Sequence, residues 1–404
     1  MRFRSASMAA AMLAVAACAR YRPAPLDVER SIRPSATATP TTWAYDDVVR
    51  YAVEHNPDLV ALRARAAAVN VAPPREPAEV GGGVDADHRG EFMASFDALS
   101  LLGLGVRPYD VALACARRNE ALLAHHARAR EIAGDIAEAF AVERALASLE
   151  EPDYRVDVGA FVRAGLESGA AEVAAASTVA NWEAEKAARA ADRRSNRLAL
   201  ARAMGLGPDV EPKPAVPASD WPLVPAPTPA QLVVARADIQ RSVAAFETAD
   251  RDVRRAVRAQ YPSVIIEPGL ALDPTSLFGA VRLKLPVGMS SEVHALEAAR
   301  EAARADVESA VLGAVRDAGE TRARWEATIP ALAAARKRTE AAAALLKGSR
   351  LRLEVASGSP IETVLTADAV VDGAVSLRLA VLEEARSRTK AARAAGWPGP
   401  LTTP

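Results

Sequence analysis

The sequence repeats one plan on both sides of a proline-rich stretch. From Pro208 to Pro229 it carries eight prolines, at 208, 212, 214, 217, 222, 225, 227 and 229. Proline lacks an amide hydrogen and fixes φ, so this stretch reads as an extended linker and cannot be helix. On each side the same features follow in the same order, the mark of an internal duplication. A short helix comes first, then two strand-like stretches, then a long antiparallel helical hairpin. The expected fold is therefore mainly α with a small β portion, built from two structural repeats. Its expected segments are 1–17, 18–41, 42–207, 208–229, 230–397 and 398–404.

Both repeats open with helix-start chemistry. In the first, Trp43 to Glu54 reads as a short helix, with Asp46-Asp47 in its opening turn, where the dipole favours negative charge. Asn56-Pro57-Asp58-Leu59 then restarts the chain, with Asn56 as cap, Pro57 at the first helical position and the helix running to about Val71. In the second, Thr228-Pro229-Ala230-Gln231 is a capping box, and a helix follows through Arg236-Ala237-Asp238-Ile239 to about Gln260.

The strand-like stretches are clearest in the second repeat, at Val264 to Asp273 and Leu277 to Leu285. Val281-Arg282-Leu283-Lys284-Leu285 alternates strictly, one face aliphatic and the other basic. In the partner stretch, Ile266, Leu270 and Leu272 alternate with Glu267, Gly269 and Ala271. This suits strands with lipid on one side and water on the other, and each stretch reaches the roughly 9–11 residues a tilted membrane strand needs. A soluble hairpin with one solvated face fits the same alternation. The first repeat offers only a Gly-rich, poorly alternating pair, Gly81 to Asp87 and Phe92 to about Leu102.

The hairpins are Ala-rich. Half the residues are hydrophobic but only 4% aromatic, a composition that favours helix and close helix approach. In the second repeat one arm is expected from Ser291 to about Lys347, on the order of 85 Å at about 1.5 Å per residue. Pro330 should kink it, Gly348 and Gly358 should bracket the turn, and the return arm should run from Pro360 to Ala395. In the first repeat the arms are expected at Tyr109 to Glu150 and Val156 to Met204, separated at Pro152. Both return arms end at a glycine, Gly205 or Gly396, a C-cap signal.

The N-terminus reads as an export signal. Arg2 and Arg4 precede a short apolar run, and Val15-Ala16-Ala17-Cys18 looks like a bacterial lipobox. Cleavage would leave Cys18 as an N-terminus acylated with chains such as palmitate, followed by Ala19. Cys115, the other cysteine, sits in a helical pattern and is expected to be a buried, inert thiol. After the signal there is no apolar run of about 18 residues or more, so a membrane-spanning part must be a closed β-barrel.

Together these features resemble the TolC-like outer-membrane channel family, over nearly all of the mature chain. The local motifs similar to that family are Ala52 to Leu59 (A-x-x-x-N-P-x-L), Arg236 to Ile239 (R-x-D-I), Ala259 to Pro262, Leu285-Pro286, Gly358 to Ala367 (G-x-x-x-x-x-V-L-x-A) and Leu206-Gly207-Pro208. The resemblance implies a homotrimer in which three copies share one β-barrel and an α-helical barrel reaching through the periplasm. It also implies outer-membrane lipid around the barrel and two protein partners, a periplasmic adaptor protein and an inner-membrane transporter. The implied role is a passive exit duct for small molecules, drugs or metal ions. In that family the channel closes at the periplasmic turns, often on acidic residues. Here Thr363 and Thr366 flank Val364-Leu365, so the nearby candidates are Glu362, Asp368 and, in the first repeat, Glu172. The lumen-facing strand candidates are Arg282, Lys284 and Glu267. Two departures are the shorter first hairpin and strands without an aromatic girdle.

No catalytic constellation is present, and no cofactor or metal site is expected. The histidines, at 55, 88, 125, 126 and 294, show no zinc spacing, and adjacent His125 and His126 face different helix sides. Gly81-Gly82-Gly83 lacks the Lys-Ser/Thr of a phosphate loop. Lys+Arg 50 against Asp+Glu 51 gives no basic surplus for nucleic acid. The competing readings are a lipid-anchored periplasmic coiled-coil protein without a barrel, and a periplasmic adaptor. The adaptor needs more strands than this chain offers.

Overall fold

In a computed structural model, the described residues are 42–69, 79–84, 90–97, 106–163, 165, 169–207, 209–215, 227–272, 275–284, 290–355 and 357–397. The export signal, Cys18, the middle of the proline-rich stretch, Leu285-Pro286 and the tail at 398–404 lie outside them. The first half comprises α1 (Tyr45–His55), α2 (Pro57–Ala68), β1 (Glu79–Val84), β2 (Gly90–Asp97), α3 (Arg107–Ala147), α4 (Gly159–Arg163) and α5 (Gly169–Met204). The second comprises α6 (Pro229–Ala235), α7 (Ala237–Ala259), β3 (Ser263–Leu272), β4 (Thr275–Lys284), α8 (Ser290–Glu354) and α9 (Pro360–Ala394). Apart from the one-turn α4, the order is the same in both.

The two halves also share a joint at atomic detail. The opening helices break at one residue, Asn56 between α1 and α2, Arg236 between α6 and α7. Asn56 caps α2 by accepting from Asp58 N at 2.9 Å, and Thr228 with Gln231 forms the capping box of α6. The return helices α5 and α9 end at Gly205 (φ 77) and Gly396 (φ 94). The residue after each glycine closes a Schellman-type turn, Leu206 N donating to Ala201 O at 2.8 Å and Trp397 N to Ala392 O at 2.9 Å. Each break residue then donates to the carbonyl two positions before its own half's glycine. Asn56 Nδ2 reaches Ala203 O at 2.9 Å, and Arg236 Nη1 reaches Ala394 O at 3.3 Å. Leu59 and Ile239, three residues past the breaks, are fully buried.

Around the first joint, Trp43, Val48, Ala52 and Leu59 pack on Ile132, Ile136 and Phe140 of α3 and on Leu200 and Met204 of α5. Trp43 also ties the proline-rich stretch down. Its amide donates to Lys213 O at 3.0 Å and its carbonyl accepts from Ala215 N at 2.8 Å. Around the second joint, Leu232 and Ile239 pack on Ala314 of α8. Lower in the molecule α8 and α9 pair closely, and α9 also packs on α3 and α5. Thr339 Oγ1 donates to Gly373 O at 3.0 Å, and a Cβ at Gly373 would lie 3.2 Å from Thr339. Small residues thus set the close spacing of this hairpin.

Several boundaries differ from expectation. α2 ends at Ala68, short of Val71. α3 stops at Ala147, and the return arm begins at Gly169 and not at Val156. Pro152 cannot donate into a helix and disfavours helical backbone at Glu151. Residues 149–158 are instead held by side chains. Tyr154 packs on Trp182 with ring centroids 5.5 Å apart, and Val156 packs against Ala342, Leu346, Ala367 and Val370. α8 runs through both Pro330 and Gly348 to Glu354, 65 residues or about 97 Å. The turn therefore lies at 355–359, beyond Gly348. Cys115 is exposed, not buried: Leu113 and Ala116, three apart, carry the buried line of α3, and Cys115 falls off it.

The joints make a test. A Cβ at Gly205 would lie 2.7 Å from Pro57 Cδ, and one at Gly396 2.6 Å from Ala235 Cβ, both at positive φ. Gly205→Ala and Gly396→Ala are each expected to cost about 1–3 kcal/mol. Gly207→Ala, with nothing within 4 Å, should be close to neutral. Thermal unfolding midpoints of the three variants check this.

Candidate functional site

The strands of both halves join one antiparallel sheet in the order β1-β2-β3-β4, with β2 against β3 at its centre. The register (Glu79↔Ser95, Phe92↔Leu270, Phe96↔Ile266, Ile266↔Val281) sorts the strand residues into two faces. By register one face takes Val80, Val84, Phe92, Phe96, Val264, Ile266, Leu270, Leu272, Leu277, Val281 and Leu283, and no charged residue. The other takes every charge of the four strands, Glu79, Glu91, Asp97, Glu267, Arg282 and Lys284, together with Met93, Ile265 and Phe278. The first-half strands begin earlier than expected, and residues 85–87 and 98–102 of the expected stretches lie outside the described residues. Within the observed limits, Phe92, Ala94 and Phe96 alternate cleanly with Glu91, Met93, Ser95 and Asp97.

On the polar face Arg282 Nε lies 2.9 Å from Glu267 Oε2, a diagonal cross-strand ion pair. Lys284 occupies the same face, opposite Ser263. On the apolar face Val281 and Leu283 are 72% and 59% exposed. Among the described residues, β1 and β4 each keep one edge without a strand partner. The isolated sheet therefore shows solvent an apolar face and two unpaired backbone edges, both unfavourable unless something covers them.

At the opposite end lie the turn of the α8–α9 hairpin and the start of α5. Glu362 pairs with Arg352 across the turn. Asp368 accepts from Thr178 Oγ1 and Asn181 Nδ2 of α5, both at 3.3 Å. Glu172 is exposed in the first turn of α5. The three candidates thus have different surroundings: one is tied within its hairpin, one links the halves and one faces solvent. Arg350 of α8 reaches the 149–158 segment, pairing with Asp153 and donating to Arg155 O at 2.8 Å. The hydrogen bond from Arg350, ahead of weaker desolvation in the opposite sense, holds the Asp153 carboxyl below the usual carboxylate range.

Between this end and the joints, α9 is bolted to α5 by charges that sequence reading did not single out. Arg378 Nε donates to Glu185 Oε1 at 2.9 Å and Oε2 at 3.1 Å, and Arg378 also pairs with Asp192. Arg189 Nε donates to Glu185 Oε1 at 3.0 Å, while its guanidinium lies 4.9 Å from the Trp182 ring centroid. The Glu185 side chain is only 2% exposed. A buried carboxylate needs such partners to stay charged, and removing one strands the other. Glu185, Arg189 and Asp192 are spaced four and three apart, which marks one helix face. Their partner, 186 positions beyond Asp192, leaves no local signal.

No helix among the described residues is long and apolar enough to cross a membrane.

Two measurements follow. Arg378→Met is expected to cost about 2–4 kcal/mol, less than full loss of a buried pair because Arg189 remains; denaturant midpoints read this. The depressed Asp153 pKa stabilises the fold above its unfolded value, near 3.9, and that contribution is lost as pH falls through the folded value. Arg350→Gln should therefore remove part of the stability drop on acidification below about pH 4, read as thermal midpoint against pH.

No protein-family model and no curated protein matches the sequence. The fold does match solved structures. The open-state MtrE outer-membrane channel of Neisseria gonorrhoeae aligns with TM-score 0.69 at 17% identity, covering 94% of this chain and 97% of that one. The VceC outer membrane protein of Vibrio cholerae aligns with TM-score 0.65 at 16% identity, covering 87% and 96%. The CmeC outer membrane channel of Campylobacter jejuni gives 0.67 at 12%, covering 96% and 95%. Over nearly its whole length, this chain has the fold of the TolC-like outer-membrane channels.

Proposed function

We propose that three copies of this chain form an outer-membrane exit duct of a tripartite efflux or secretion system. In this reading a periplasmic adaptor and an inner-membrane transporter deliver the cargo, small molecules such as drugs or metal ions. The observation that carries it is the four-stranded sheet, whose pairing puts all charge on one face and leaves two edges open. In hydrocarbon every unpaired backbone group costs several kcal/mol, so only a closed barrel is stable there. β4 of one copy meeting β1 of the next, three times over, closes the ring. The apolar face then meets lipid, while Arg282, Lys284 and Glu267 face the lumen. The helices below continue as a tube towards the periplasm, with Glu362, Asp368 and Glu172 near its entrance. Cys18, acylated, anchors the N-terminal segment at 18–41 to the same membrane. Segments 42–207 and 230–397 act as the two repeats, joined by 208–229.

Three experiments test this. Detergent-extracted protein should run as a trimer and conduct in planar bilayers; a water-soluble monomer without conductance would make it a periplasmic coiled-coil protein instead. Val281→Lys places a charge on the proposed lipid face and should cost up to about 2–4 kcal/mol per copy, depending on depth. It should lower the amount of trimer recovered from outer membranes, whereas a soluble hairpin would tolerate it. Cys18→Ser should abolish incorporation of labelled palmitate.

A further inference from the structure

We infer that the last two turns of α7 form a docking surface for the headgroups of anionic phospholipid in the periplasmic leaflet. The inference rests on the channel reading above and goes beyond it, since a barrel seated by its apolar face alone need not distinguish one lipid from another. Strand length sets the level. β3 has 10 residues, Ser263–Leu272, and at about 3.3 Å per residue and a tilt of about 40° it rises roughly 25 Å. That is about the height of the apolar band on an outer-membrane barrel, so Ser263 marks the hydrocarbon boundary. The residues just before it, at the end of α7, then lie among headgroups. Pro262 disfavours helical backbone at Tyr261, and the Tyr261 amide donates to Arg258 O at 3.1 Å as the helix ends.

The side chains at this level sort by face. Arg254, Val257, Arg258 and Tyr261 stand at i, i+3, i+4 and i+7, one stripe leading towards the strand. Tyr261 is 57% exposed, the Arg254 side chain 68%, and Val257 is exposed as well. The Arg258 guanidinium lies 4.9 Å from the Tyr261 ring centroid, and among the described residues no carboxylate pairs with it. Arg254 pairs with Asp250 at 2.7 Å, an exposed contact of small worth that Asp250 shares with Arg300 at 3.8 Å. The neighbouring positions hold α7 in place. Val253 and Ala256 are buried, Arg251 donates to Ala112 O at 3.0 Å, and Asp252 and Arg255 pair with Arg117 and Asp110 of α3. The stripe left over combines two guanidiniums, whose planar forks match a phosphate, with a tyrosine, which places its ring at an apolar boundary and its hydroxyl in water. It leads directly into β3, where Val264 and Ile266 belong to the apolar face, so lipid is the occupant that fits both. A cation in the last turn also suits the helix dipole. That alone accounts for Arg258, but not for Arg254 more than a turn from the end, nor for an exposed valine and tyrosine in the same stripe.

The test is the lipid selectivity of the detergent-extracted trimer. Delipidated protein is titrated with fluorescent phosphatidylglycerol and with phosphatidylcholine, and the ratio of the two affinities is read at low and high salt. A basic residue near an anionic surface is worth roughly fivefold. Around 0.1 M NaCl the ratio should therefore exceed about 3 in favour of phosphatidylglycerol, and it should fall towards 1 around 1 M as screening sets in. Arg258→Gln should remove most of the low-salt preference, while Arg258→Lys, which keeps the charge, should retain part of it. Arg254→Gln, at an exposed position, should lower the preference partway and keeps the test decisive if Arg258→Gln fails to assemble. Arg255→Gln removes the same charge from the side that faces α3 and should leave the preference unchanged. A conducting trimer with no preference at low salt, or one that loses it as much with Arg255→Gln as with Arg258→Gln or Arg254→Gln, overturns the inference while leaving the channel reading intact. A water-soluble monomer that retains neither lipid overturns both.

Discussion

An apolar sheet face that no single chain can cover is the constraint on which the rest depends. The register of four strands puts eleven large apolar residues on one face and all six strand charges on the other, beside Met93, Ile265 and Phe278, and among the described residues it leaves β1 and β4 with open edges. In water such a face would drive association without order. In hydrocarbon it is the correct outer surface, provided the edges close. The helices answer a different need, since in the proposed trimer they would hold the sheets of several copies below the membrane. Their Ala-rich contacts, buried charge ties and glycine joints suit a stiff support.

The joint at each helix break is where that stiffness originates. Three chain segments meet there: the end of a return helix, the capping glycine and the one-residue break between two opening helices. Hydrogen bonding from Asn56 or Arg236 satisfies a terminal carbonyl that the helix leaves unpaired. The chemistry differs between halves. Asn56 is neutral and serves as both N-cap and donor. Arg236 is charged and is held by Asp238 and Asp317 at 2.7 and 2.9 Å. Burial works against its charge, and these carboxylates overcome that, raising its pKa. One geometry is therefore reached by two side-chain solutions. The correspondence between the halves therefore shows in the capping glycines Gly205 and Gly396 and barely in residue identity.

That difference also explains what could be read from the sequence. Backbone-determined features were legible: the Asn56-Pro57 restart, the Thr228 to Gln231 capping box, Gly205, Gly396 and the alternation of Val281 to Lys284. Each reports a local φ requirement or a period of two, and both survive without knowledge of the partner. Features depending on distant partners were not. Cys115 was placed inside because its neighbours are apolar, but burial follows the side of α3 that meets α7 and α9. Arg378 finds Glu185 and Asp192 only once the hairpins stack. Asp368 was a constriction candidate by its position beside Val364-Leu365, and its hydrogen bonds from Thr178 and Asn181 of α5 have no signal in the local sequence. The first-half strands were blurred because three adjacent glycines carry no face information of their own.

The asymmetry of the two hairpins leaves their reach almost unchanged. α3 has 41 residues and α8 has 65, a deficit of 24 helical residues or about 36 Å. Residues 149–158 follow α3 without regular structure, and ten residues can span up to roughly 33 Å when extended. The contacts show that they use this length. Asp153 pairs with Arg350, only four residues from the end of α8, and Val156 packs beside Leu346. Both halves therefore arrive at the same level near the turns, one as a helix and one as a thinner non-helical segment laid against its neighbours. Pro152 looks like an interruption in the sequence. In the fold it lies within 149–158, after α3 has ended at Ala147, where non-helical backbone can rise up to about 3.3 Å per residue against about 1.5 Å in a helix, so a shorter chain can cover the same distance. At that level the first half contributes one helix, α5, where the second contributes two. The charge ties of Arg350 and Arg378 fall on this thinner stretch of wall, where helix–helix packing alone supplies less contact.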